Sequence, residues 1–441
     1  LNLYTDILAA NDAADINLHF NPDSGSAFTG DLAMRAEYHP DLNPSGRKAT
    51  LRFIPSTLYL NGAEWHVGRS YAEYYDKQLE IRDFNIAHEN QHIAINGIAS
   101  SSTDDMMVVE LSDINLDYIF DTLNINYVSF GGTATGQAIA AGAFSPTPDA
   151  HTRNLTVRDL SYNHCVLGNA KLLGDFDIKN MRIGIKADIE EEERPVASVD
   201  GGIWLGGRDS LSFGIDADRV RVDFLQTFMQ AFARDVSGRA SGRGLLYGTF
   251  KDIDMTGRFF ADTISMRVDY TNVLYSGRDS VFLHPGRVEI PPLTLYDKNK
   301  NSVQVSGELT HHYFHEPYFR FNIRNADHLL VYDTNPGMNP VWYGRIFGSG
   351  SGLINGTPEM VEIIADMTTE ADSDFTFVLD DSMEATDYTF LTFTDSHKET
   401  LQRLSIDEQD EEDAIVAAFN KSVMQQNAST TEFSMDIRAT V

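Results

Sequence analysis

A glycine-rich stretch recurs at a fixed interval along this chain, and that beat limits the possible folds more than any other feature. Val236-Ser237-Gly238-Arg239-Ala240-Ser241-Gly242 is matched by Phe130-Gly131-Gly132-Thr133-Ala134-Thr135-Gly136 and by Phe347-Gly348-Ser349-Gly350-Ser351-Gly352. Ser24-Gly25-Ser26-Ala27-Phe28-Thr29-Gly30 is a worn version. Gly30, Gly136 and Gly242 are 106 residues apart, and Gly352 follows after 110. Gly97, Gly202 and Gly307, each just after a run of apolar alternation, are separated by 105 and 105. Two independent landmarks with one period identify an internal repeat.

Between the landmarks the dominant pattern is strict alternation. Ile16, Leu18 and Phe20 alternate with polar neighbours, as do Ile93 and Ile95, Ala187 and Ile189, Phe375, Phe377 and Leu379, and Phe433, Met435, Ile437, Ala439 and Val441. Period-2 runs put one apolar row on one side of a strand and a polar row on the other. Turn-like clusters such as Asn21-Pro22-Asp23-Ser24-Gly25, Leu42-Asn43-Pro44-Ser45-Gly46, Gly206-Gly207-Arg208-Asp209 and Asp297-Lys298-Asn299-Lys300-Asn301 separate the runs. Glu190 to Pro195 reads as a solvated hairpin tip.

Helical signal is thin. Asp117 to Leu123 and Asp223 to Phe232 hold equivalent places before the glycine-rich landmark. In the second, Phe224, Leu225, Phe228, Met229 and Phe232 follow helical spacing, with Asp223 as the expected N-cap. Such a segment reads as a plug over the sheet between repeats, or alternatively as a gate or docking helix. Residues 396–428 read as an acidic linker leading into a helix, and 429–441 as the start of a further β segment, cut short. The repeat array then occupies residues 1–395, in units of about 106 residues.

A sheet with one apolar face must cover it, and helices are too few here to do so. The expected fold is all-β: an elongated repeat β-solenoid, or U-shaped twisted sheet, with an apolar interior groove and a few short helices. Glycine once per repeat suits a bend, a bulge or a loop. A tight curl would make the apolar row an ordinary core; an open one would leave a groove suited to acyl chains or an extended polypeptide.

The chain has 441 residues and a formal net charge of −31, which argues against nucleic acid and against a face lying flat on anionic lipid. Its single cysteine, Cys165, excludes an intramolecular disulfide and reads as a small buried hydrophobe rather than a nucleophile. No signal peptide or transmembrane helix is visible, yet the chain begins at Leu1 and stops at Val441 inside an alternating run. Both ends read as cut.

Catalytic signatures are absent from the sequence. His311-His312-Tyr313-Phe314-His315-Glu316 is the nearest approach to a metal cluster, because His311 and His315 would share a helical face; the flanking runs favour a hairpin connection. Gly348 to Gly352 lacks the order of a nucleophile elbow and precedes strand rather than helix. No enzyme activity and no cofactor are expected.

The run Gly242-Arg243-Gly244-Leu245-Leu246-Tyr247-Gly248-Thr249, followed by Gly257, resembles the repeats of TamB, the translocation and assembly module subunit, and of the wider AsmA-like group, in a style similar to Bacteroidetes-type members. Gly352-Leu353-Ile354-Asn355-Gly356-Thr357-Pro358 looks like another copy, and Gly136 with Gly142 and Pro146 a third. The first copy departs, with Ala36 where the second glycine would be. The resemblance implies a periplasmic protein of a Gram-negative bacterium, held by an N-terminal inner-membrane helix and engaging an Omp85-type outer-membrane barrel through its C-terminal region. Both of those parts are expected to be missing here. It also implies a role in outer-membrane protein assembly and in phospholipid transfer between the membranes.

The leading expectation is a lipid conduit in which phospholipid acyl chains lie along Ile183, Ile185, Leu211, Phe213, Ile215, Val220, Val222, Val303, Val305, Phe319, Phe321 and Ile323. The alternatives are an assembly factor that pairs its sheet edge with client strands, acting with an Omp85-type barrel, and a structural spacer with a closed core.

Overall fold

Alternating apolar runs become strands throughout the chain, because each places its greasy side chains on one face where neighbouring strands can cover them. The structure, a computed structural model, describes residues 3–20, 28–39, 48–60, 62–116, 130–206, 209–230 and 232–378, and the backbone of 432–440. The expected helix at Asp117 to Leu123, the acidic linker and the turn clusters at 21–25 and 42–46 lie outside the described residues.

In chain order the strands are β1 (Leu3–Ala10), β2 (Ala13–Phe20), β3 (Phe28–His39), β4 (Lys48–Phe53), β5 (Ser56–Leu60), β6 (Ala63–Val67), β7 (Ser70–Tyr75) and β8 (Gln78–His88). Then come β9 (Gln91–Ala99), β10 (Met106–Asn115), β11 (Phe130–Ala141), β12 (Asp149–Tyr162), β13 (Cys165–Asp177), β14 (Arg182–Glu191), β15 (Arg194–Trp204) and β16 (Ser210–Arg221). After a short helical segment follow β17 (Ala233–Thr249), β18 (Ile253–Val268), β19 (Val273–His284), β20 (Arg287–Tyr296), β21 (Ser302–His312), β22 (His315–Thr334), β23 (Trp342–Gly356), β24 (Met360–Thr369), β25 (Asp374–Phe377) and β26 (Glu432–Thr440).

The chain divides into two compact units, Leu1–Asp216 with Tyr247–Phe250, and Ala217–Leu246 with Lys251–Val441. In the first, strands β8 to β15 pair antiparallel in sequence order. In the second, β18 to β24 do the same. β26 pairs with β24 in parallel.

Tight turns close many of the hairpins. Asn163-His164, Glu192-Glu193 and Tyr313-Phe314 each have both central residues at positive φ, between 48° and 64°. That is the twist-matched two-residue turn of antiparallel hairpins. Glu190 to Pro195 is thus a hairpin tip, and His311 to Glu316 is a hairpin connection.

One-residue bulges keep the apolar rows on a single face over long strands. At Asp83, Asp113, Arg219, Thr263 and Asn325 the backbone turns to positive φ. Apolar positions shift parity across each, from Ile81 to Phe84, Leu111 to Ile114 and Ala261 to Ile264. The extra residue absorbs the mismatch that twist accumulates in a long ladder.

The bulges share a repeated fastening. The Asp113 N–H donates to Thr135 Oγ1 (3.1 Å), Arg219 N–H to Ser241 Oγ (2.8 Å) and His328 N–H to Ser349 Oγ (2.9 Å). Each side chain then pairs one strand or turn further on: Asp113 with Arg158, Arg219 with Asp262 and His328 with Asp372. Thr135, Ser241 and Ser349 all precede a glycine of the glycine-rich landmark. Gly136, Gly242 and Gly350, which follow them, are at positive φ, as are Gly132 and Gly238 in the same stretches.

The helical segment is shorter than its spacing predicts. A 3-10 turn spans Asp223–Leu225 and a single turn, α1, spans Gln226–Met229. Asp223 is not the N-cap. Val222 holds that position without a side-chain hydrogen bond, and the Asp223 carboxylate is taken by the Arg221 guanidinium. Gln226 instead anchors the segment, its amide donating to the Ala233 carbonyl at 2.7 Å and accepting from the Val236 N–H at 3.1 Å.

Each unit has its own buried clusters. Leu58, Trp65, Val67 and Ile114 pack together in the first, as do Ala134, Val157, Ala170, Ile189 and Val196. Val303, Ala326 and Leu329 pack in the second. Cys165 is buried at the start of β13, as a small hydrophobe.

Candidate functional site

Register converts the alternating runs into continuous apolar rows. In the first unit Ile81, Gly97, Met107, Ala140, Ala150, Phe176, Ile183 and Ile203 are successive cross-strand partners from β8 to β15. Ile114, Ala134, Val157, Ala170, Ile189 and Ala197 form a parallel row. On the other face Thr135, Thr156, Lys171, Asp188 and Ser198 are partners. Period 2 thus yields one greasy and one wet face.

The second unit repeats the plan. Leu283, Val288, Leu309, Phe319, Gly356 and Val361 form one row from β19 to β24. Ile290, Gly307, Phe321, Ile354 and Ile363 form the next, and Leu293, Val305, Ile323, Gly352 and Ala365 the one after.

Of the sequence-derived residues, Ile183, Val305, Phe319, Phe321 and Ile323 stand in these rows, and the twelve divide between the two units. Ile183, Ile185, Leu211, Phe213 and Ile215 belong to the first unit; Val220, Val222, Val303, Val305, Phe319, Phe321 and Ile323 belong to the second. Val222, Val303 and Phe319 are buried, and the other nine are half-buried. Side chains sealed between two sheets would be fully covered; these keep part of their surface open.

Glycines shape the rows by leaving room beside large side chains. A Cβ at Gly307 would stand 2.6 Å from Phe321 Cδ1 and 2.1 Å from the Arg320 carbonyl, so the Phe321 ring occupies the space a side chain would need. Gly201 has the same relation to Phe213, at 2.7 Å. Ile185 sits between Gly174 and Gly201, and it lines a depression of about 400 Å³ together with Arg182, Lys186 and Asp200. Phe319 and Phe321 stack with centroids 5.7 Å apart.

The helical segment reaches this face. Phe232, just after α1, lies with its ring centroid 6.0 Å from that of Phe319. Phe319 is accordingly more covered than Phe321 on the same strand.

Sequence reasoning missed Phe176, Ile203, Ile354 and Ile363. Gly174 stands two residues before Phe176, Gly201 two before Ile203 and Gly356 two after Ile354, and Ile363 is followed by a second isoleucine, so cross-strand register is what reveals them as row members. The histidine cluster on the β21–β22 hairpin takes a structural role: His311 Nδ1 accepts the Phe314 N–H at 3.0 Å, and the two rings stack. Burial pushes the His311 pKa below its ordinary value, which favours the neutral ring that can accept. Among the described residues no group of three or more His, Cys, Asp or Glu side chains is placed to hold a metal, and no helix is long and apolar enough to cross a membrane.

The molecule is therefore an all-β protein whose two units each carry a sheet face of merged apolar rows. Compared with known proteins, it matches no family model, and no curated protein or solved structure gives a significant match.

Proposed function

We propose that the apolar rows hold the acyl chains of phospholipids, and that the protein carries lipid between the inner and outer membranes of a Gram-negative envelope. One observation supports the reading: within the second unit the apolar rows pass from strand to strand across β21 to β24, and Val305, Phe321 and Ile323 in them stay half-buried. Such a face gains roughly 0.8 kcal/mol for each methylene it takes out of water. Head groups would remain at the wet margin, beside the charged face. The likeness of the glycine-rich repeats to TamB and AsmA-like proteins supports the envelope setting.

The test is a charge placed in a row. Phe321→Asp and Phe213→Asp are expected to lower the phospholipid that co-purifies with the protein several-fold, in variants whose circular dichroism and thermal unfolding still report a folded sheet. Unchanged lipid recovery in a folded variant would remove the acyl-chain assignment.

A second reading has its own observation. β1 is exposed along its whole length and, among the described residues, pairs with β2 alone. An open edge of this kind can add a strand from a client protein, as an assembly factor working with an Omp85-type barrel would require. That reading expects client crosslinks at Leu3 to Ala10 and no effect of charges at Phe213 or Phe321.

A further inference from the structure

The first unit carries a cationic row in a chain of formal net charge −31. Arg35, Arg52, Tyr71 and Arg82 are successive cross-strand partners on β3, β4, β7 and β8, so they share one sheet face. Where β4 ends and β7 begins, a depression of about 410 Å³ opens, lined by Arg52, Arg69 and Arg82 with Ser70, Tyr71 and Asp83. Three arginines and one aspartate line it.

Their commitments differ. Arg52 reaches Glu37 at 3.4 Å, a carboxylate it shares with Arg35. Arg82 is held by Glu80 at 2.6 Å. Arg69 is exposed and makes no ion pair or hydrogen bond among the described residues. Ser70 is only 8% exposed, and its buried hydroxyl has no hydrogen-bond partner. Ser70 pairs with Phe53, so its side chain lies on the opposite face of the sheet from Tyr71 and Arg52 and faces the apolar side.

We propose that this depression binds a phosphodiester. Arg69 supplies an uncommitted two-pronged donor, which matches the geometry of phosphate oxygens. Arg52 and Arg82 add donors that their carboxylates leave free, and the Tyr71 hydroxyl completes the set. Asp83 selects against a second negative charge on the ligand, which favours the singly charged diester over a phosphate monoester. A phospholipid head group and a free diester share this chemistry. The head-group source rests on the acyl-chain reading above; the site itself does not.

The experiment uses the full chain and two kinds of probe. Glycerophosphoglycerol is titrated by NMR into the wild-type protein and R69A. Saturable shifts are expected, with affinity falling about tenfold or more in R69A, the size expected when a charge-assisted bond is lost. Absence of saturation in the wild type, or equal affinity in R69A, overturns the proposal. Retention of dioleoylphosphatidylglycerol is then compared with that of uncharged dioleoylglycerol. If R69A lowers only the former, the ligand is a head group; if it lowers neither while the free diester still needs Arg69, the ligand is a soluble diester. If the wild type retains neither lipid, the acyl-chain reading fails while the titration alone decides the site.

Discussion

The Arg219 guanidinium meets the Asp262 carboxylate at 2.5 Å, and Asp113 with Arg158 is the same fastening with its charges exchanged. In both cases the first residue is a bulge at positive φ whose N–H is held by a Ser or Thr hydroxyl. The hydroxyl fixes the backbone of the bulge, and the ion pair reaches past it to the following strand. Either sign order serves, because the geometry and not the identity of the charged groups sets the contact.

Exchange of the charges at one fastening should therefore be tolerated. The Arg219 and Asp262 side chains are 60% and 25% exposed, so their coupling is expected at about 0.2–1 kcal/mol. R219D alone sets two carboxylates against each other and should lose stability by that order; R219D combined with D262R should recover it. Urea unfolding measures the cycle, and 1 M salt should shrink the coupling. A double variant no more stable than R219D would show that the pair is incidental.

Gly307 is expected to resist substitution more than a glycine that merely lies in a strand. Ala at 307 would drive its methyl into the Arg320 carbonyl and the Phe321 ring, at a cost of about 1–3 kcal/mol. Gly214→Ala, whose nearest obstacle is the Asp200 carbonyl at 3.6 Å, should stay within about 0.5 kcal/mol of wild type. Thermal unfolding of the two variants compares them directly. Equal costs would mean that Phe321 can move aside and that its place in the row is not fixed.

Two histidines should titrate in opposite directions. His19 lies between Asp31 and Asp6, whose hydrogen bonds raise its pKa above the ordinary 6.5. His311 is shifted below that value by burial. The signs follow from linkage. The His19 contribution is present below pH 6.5 and is lost as pH rises through its native pKa. The His311 contribution is present above pH 6.5 and is lost as pH falls from there through its native value. NMR titration of the imidazole resonances reads both; a single common midpoint would contradict the assignment.

Much of this fold is legible in the chain because period-2 alternation has only one simple structural outcome. Ile183, Phe321 and Val305 could be placed on an apolar face from their neighbours alone. What could not be read was which strand lies beside which residue. Ile354 became a row member only through its register with Phe321, and Phe176 through Ile183. The bulge at Arg219 was silent as well: a charged residue at positive φ leaves no compositional mark, yet it separates the odd positions Leu211, Phe213 and Ile215 from the even positions Val220 and Val222. Asp223 misled for a related reason. Its carboxylate looked free for a cap, but Arg221 stands two residues away and claims it. The cationic depression was hidden because Arg52, Arg69 and Arg82 are scattered along the chain and meet only when β4, β7 and β8 pair.

The central claim is that acyl chains lie on one face of the sheet and not the other. A phosphatidylethanolamine bearing a photoactivatable diazirine in its acyl chain tests this on the wild-type protein, with adducts mapped by mass spectrometry along β22. The account predicts labelling at Phe319, Phe321 and Ile323 and little at Arg320, Asn322 and Arg324, an alternation that follows the strand. Equal labelling of both sets, or none on β22 under conditions where lipid co-purifies, would contradict it.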